Sequence, residues 1–166
     1  MREQSQMKDG PGVAWYKAAR WLVALLVMQA CIVFVGPSDN DDELRDLVRA
    51  RARWNVQGVT DYDVVARALC FCGLGGTDVR VVVRNRQVIS ATVVATGEVL
   101  TGSLATHYRP VEQLFDVIED AADRDAHRID ATYDQVYGYP THFFIDYSVN
   151  AADEEFGYEI VHFEVR

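Results

Sequence analysis

The longest apolar run in the chain comes first. Trp21 to Gly36 reads WLVALLVMQACIVFVG, sixteen residues without a charge. Lys17 and Arg20 precede it, and Pro37, Ser38, Asp39 and Asn40 follow as a polar break. A basic flank ahead of an apolar core keeps the N-terminus inside and sends the following chain outward. Residues 1–20 are therefore expected to form a cytoplasmic n-region, 21–36 an apolar signal or anchor helix, and 37–166 a single folded domain outside the cytoplasm. A buried core helix is the competing reading, but the run has no amphipathic face and Arg20 abuts it directly.

Two anchors fit this segment. Met28-Gln29-Ala30-Cys31 resembles a bacterial lipobox, which makes Cys31 the lipidation candidate. Ile32-Val33-Phe34-Val35 continues the apolar run past Cys31, which suits an uncleaved signal anchor instead. Sixteen residues at helical rise span about 24 Å against a hydrocarbon core of about 30 Å. Ala18 and Ala19, with Arg20 snorkelling, would extend the span.

The remaining pattern alternates between two periods. Residues 40–53 read as a helix. Asn40 and Glu43 have the spacing of a capping box, acids fill the first turn, arginines come later, and Leu44, Leu47 and Val48 form a short stripe. Residues 61–72 alternate as a strand, with Tyr62, Val64, Ala66, Ala68, Cys70 and Cys72 on one side. Val79–Arg84 and Gln87–Ala95 are β-rich, joined by a tight turn at Asn85-Arg86. Residues 97–106 read as a loop. Pro110 opens a second helix whose buried face is Val111, Leu114, Phe115, Ile118 and Ala122. Three more strands are expected at Arg128–Asp134, Thr141–Tyr147 and Tyr158–Val165, the last with Val161, Phe163 and Val165 on one face. The fold class is thus α+β: two helices packed on antiparallel sheet, in a duplicated α-β-β-β order, after an N-terminal apolar anchor helix.

Charge narrows the partners. The chain has a net charge of −9, and residues 37–166 alone hold 12 basic against 23 acidic side chains, or −11. Such a body repels phosphate backbones, so nucleic-acid binding is disfavoured.

Four local patterns occur together: Arg53-Trp54 with Tyr62 downstream; Cys70-Phe71-Cys72; Thr132-Tyr133-Asp134 with Tyr137-Gly138-Tyr139-Pro140; and Asp146 followed by Asp153-Glu154-Glu155. In combination, over roughly residues 50–165, they resemble the bacterial family known as domain of unknown function 6174. The resemblance implies an exported or lipid-anchored envelope protein and brings no activity with it.

Several groups are candidates for chemistry. Cys70 and Cys72 would share a side of a strand with Cα atoms nearly 7 Å apart, at the limit for a disulfide. A kink at Gly73 would close the bond, and an oxidising compartment favours it over a redox or metal pair. Tyr133, Tyr137 and Tyr139, with Asp146, are candidates for a binding surface, since tyrosine joins apolar area to a polar tip; a turn-and-core role is the alternative. Asp134, Asp153, Glu154 and Glu155 are the candidate calcium ligands, although no EF-hand spacing is met. His142 and His162 fall on one sheet face near Glu164, as a metal pair or a base with an orienting carboxylate would. No Gly-x-Ser-x-Gly, His-Glu-x-x-His or P-loop occurs. The expected function is a non-catalytic binding or assembly module at the cell envelope, anchored in the membrane, without a cofactor, and contacting an envelope protein or wall component. A cation-stabilised domain and a small hydrolase or redox enzyme are the rivals.

Overall fold

The structure is a computed structural model and describes residues 39–149 and 154–166. The expected anchor segment, Cys31 and Asp153 lie outside these residues. Among the described residues no helix is long and apolar enough to cross a membrane.

Helix α1 spans Asp39–Gln57, longer at both ends than the 40–53 expected, so Asn40 lies inside it rather than capping it. Gly58, at φ +63°, follows its end. Leu47, Ala50 and Trp54 are buried. Because the buried face continues through Ala50 and Trp54, it turns away from Val48, which is 63% exposed and not part of the stripe.

Strands β1 (Tyr62–Cys70), β2 (Val79–Arg84) and β3 (Gln87–Val93) form a meander. Asn85 and Arg86 have φ of 50° and 62°, the left-handed pair that a two-residue hairpin with matching twist requires. The region expected as a loop contains a one-turn helix, α2 (Gly102–Ala105). Helix α3 (Val111–Asp123) has Pro110 just ahead of it, in the capping position. Its buried residues are Val111, Leu114, Phe115, Ile118 and Ala121. Ala121 replaces the expected Ala122 because the chain turns here towards the next strand, with the Ala126 N–H donating to the Ala121 carbonyl.

Strands β4 (Arg128–Tyr133), β5 (Pro140–Asp146) and β6 (Phe156–Val165) form a second meander. All six strands join one antiparallel sheet in the order β3-β2-β1-β6-β5-β4. The first strand of one meander therefore pairs with the last strand of the other, and these two form the centre. Val65 is paired with His162 but Ala66 with Ile160, which leaves Val161 as a bulged extra residue. The bulge shifts the alternation: Tyr158 and Ile160 are buried on one side of it and Phe163 packs against the core on the other, while Val161, expected to share a face with Phe163 and Val165, is 47% exposed.

Helix α1 packs against α3 and β4, and α3 against β4 and β5. The core is a continuous apolar cluster with Trp54, Tyr62, Phe115, Phe143 and Tyr158 as its largest members. Tyr62 ties sheet to helix, its hydroxyl accepting the Val111 N–H at 2.7 Å. The edge strands are partly covered. Helix α1 packs against β4, and on β3 the Val93 N–H and Ala91 carbonyl pair with residues 98 and 100.

Candidate functional site

Strand β1 stops at Cys70, two residues earlier than the alternation suggests. The Cys72 N–H folds back onto the Cys70 carbonyl at 2.8 Å, a three-residue turn that no strand can continue. This brings the Cys70 and Cys72 Cα atoms to 5.2 Å, and the two are joined as a disulfide. Further bonds close the loop, from Gly75 N–H to Cys72, from Gly76 N–H to Ala68 and from Thr77 N–H to Leu74. Gly75 is needed there, since a Cβ would sit 2.5 Å from the Cys70 carbonyl oxygen.

Phe71, between the two cysteines, is 97% exposed. Beside it lies a hollow of about 390 Å³ lined by Leu69, Phe71, Phe144 and Glu155 among others. Register places Gly157 on β6 between Leu69 on β1 and Phe144 on β5, and the Leu69 side chain covers it.

The same sheet end carries Asp146, whose carboxylate accepts the Ser148 N–H at 2.9 Å, and the exposed Glu154 and Glu155. Asp134 lies at the other end of β5, and its carboxylate accepts the Val136 and Tyr137 N–H groups at 2.9 and 2.6 Å. Asp134 is thus not brought together with Glu154 and Glu155. Among the described residues no group of three or more His, Cys, Asp or Glu is arranged to hold a metal ion.

His142 and His162 share the outer face but are not cross-strand partners. His142 is paired with Glu159, and His162 with Val65 on the opposite neighbour. Glu164 is paired with Arg166 at 2.8 Å.

The tyrosine-rich turn binds to the body itself. Tyr139 stacks on Phe163 with centroids 4.4 Å apart, Tyr137 lies 5.3 Å from the same ring, and Tyr133 stacks on Phe115 at 6.3 Å. All three are half-buried, and burial raises the Tyr133 and Tyr139 hydroxyl pKa values. Gly138 is buried against α1. At φ +89°, a Cβ on it would come within 2.3 Å of the Ala50 carbonyl oxygen and 3.0 Å of the Trp54 nitrogen.

Most other charges on the outer face are paired internally. Arg67 bonds Asp78 and Glu159. Asp63, nearly buried, accepts from Arg84 at 2.9 Å and from Arg166 at 2.7 Å. Burial alone would raise the Asp63 carboxyl, but hydrogen bonds and charge from Arg166 and Arg84 outweigh it and hold its pKa below the usual value. Nothing along the chain marked this group beyond an acid within a hydrophobic strand.

A family model described as a family of unknown function (DUF6174) matches residues 46–165. The chain belongs to that family. The DUF6174 match runs from the middle of α1 through β6 and so includes the Cys70–Cys72 loop, the tyrosine turn and the Glu154-Glu155 pair. No curated protein and no solved structure matches the chain.

Proposed function

We propose that this DUF6174 chain is a non-catalytic binding or assembly module at the cell envelope, tethered by residues 21–36 with its body outside the cytoplasm. The tether is either lipid on Cys31 or the apolar segment itself. Its partner is an envelope protein or wall component. One observation carries the reading: a disulfide closes a short, hydrogen-bonded loop whose middle residue, Phe71, is 97% exposed. A structural disulfide suits an oxidising compartment. An aromatic ring presented to water by a cross-linked loop has apolar area to bury on contact while the loop backbone has less freedom to lose, which suits an interface anchor.

A photo-crosslinking phenylalanine analogue at position 71, in whole cells, tests this. The expected product is an adduct with an envelope component that the same group at Ile89, 63% exposed on β3, does not form. Adducts only with cytosolic proteins, or none from folded protein, contradict it.

A further inference from the structure

The sheet end with the Cys70–Cys72 loop carries two exposed carboxylates beside an exposed aromatic ring. Arg67 and Asp63 are neutralised by neighbours on the same sheet. Glu154 and Glu155 are exposed and make no ion pair with any described residue. Glu155 lines the same hollow as Phe71, Leu69 and Phe144. An exposed ring, an apolar recess beside it and the unpaired Glu155 carboxylate at its rim therefore form one continuous surface, with Glu154 next to it in the chain.

We propose that this surface binds a polypeptide segment in which lysine or arginine flanks an apolar side chain. This rests on the binding-module reading and names the class of partner. A hollow of about 390 Å³ admits an apolar side chain. Phe71 packs along that side chain, and Glu154 and Glu155 pair with the flanking cations. Charge argues against the other occupants. Anionic lipid headgroups are repelled by the two carboxylates. A second copy would oppose its own Glu154 and Glu155 to the same pair.

The test uses the full chain in zwitterionic nanodiscs, with empty nanodiscs as blank. The probes are two fluorescein-labelled peptides, each with a leucine pair in a Gly/Ser background, flanked by lysines in one and glutamates in the other. The lysine peptide is expected to bind, more weakly as salt rises, and the glutamate peptide is not. F71S leaves the charge and the fold unchanged but weakens binding at least about tenfold, or about 1.4 kcal/mol. The E154Q/E155Q double variant removes most of the salt dependence. Equal affinity for F71S reduces the effect to general charge attraction and overturns the proposal, as does equal binding of the two peptides. Dimerisation abolished by F71S overturns it in favour of a second copy. Quenching of a fluorescent aromatic at position 71 by a bilayer-embedded quencher overturns it in favour of lipid. Crosslinking to an envelope component in cells with no peptide binding in nanodiscs leaves the binding-module reading standing and sinks this inference alone.

Discussion

Arg166 closes onto Asp63 with two donors to one oxygen: its Nε and Nη2 reach Asp63 Oδ2 at 3.1 and 2.7 Å. The contact ties the residue after β6 to the start of β1, across the central pair of the sheet. Arg84 completes the set from β2 at 2.9 Å. Asp63 is nearly buried while both arginines are partly in water, so the pairs are worth more than surface bridges and less than a fully buried triad.

The Asp63 contribution depends on pH in a fixed direction. Its folded pKa is lowered below 3.8, so the stabilisation is fully present above that value and is lost as pH falls through the folded pKa. D63N should cost about 1–3 kcal/mol at neutral pH and flatten the acid limb of the stability curve. Denaturant titrations from neutral pH downwards check this.

Glu43 has the opposite sign. Burial, then the charges of Asp130 and Asp46, raise its carboxyl above the ordinary 4.5. Its favourable contribution is therefore present below 4.5 and disappears as pH rises through the folded value. E43Q removes the partly buried charge and should melt at or above wild type at neutral pH, with the gap closing in acid. Paired melting curves at the two pH values decide it.

Gly138 holds the tyrosine turn against α1. G138A combines an unfavourable left-handed backbone with contact at 2.3 Å to the Ala50 carbonyl oxygen. The expected loss is about 2–4 kcal/mol, seen as a melting point lower by roughly 10 °C. Near-ultraviolet circular dichroism should weaken with it, since Tyr137 and Tyr139 lose their packing on Phe163.

The disulfide should contribute more to presentation than to stability. A bridge between residues two apart closes a very short loop and restrains the unfolded chain by only about 1–2 kcal/mol. The C70S/C72S variant should stay folded while its affinity for the lysine peptide falls with that of F71S. Calorimetric melting and the peptide titration, run on one preparation, separate the two effects.

Local signals in the sequence carried most of the elements. Asn85-Arg86 marked the hairpin because both residues sit between alternating runs, and the period from Val111 to Ile118 marked the buried face of α3. What depended on distant partners was not legible. The pairing of β1 with β6, the bulge at Val161 and the exposure of Val48 are all set by neighbours far along the chain. Phe71 is the clearest case at the candidate site. On a strand through residue 72 it would be one alternating residue among several, and its exposure appears only because the backbone turns at Cys70. The tyrosines were visible as a cluster, but their docking on Phe163 required the second meander to reach the sheet centre.

The intact mass of the full-length protein, extracted from its native membrane without reduction, tests the account most directly. The account predicts recovery from the membrane fraction, with residues 21–36 retained or lipid on Cys31, and a mass lower by the two hydrogens of the Cys70–Cys72 bond. Unmodified full-length chain in the soluble cytosolic fraction, with all three thiols free, would contradict it.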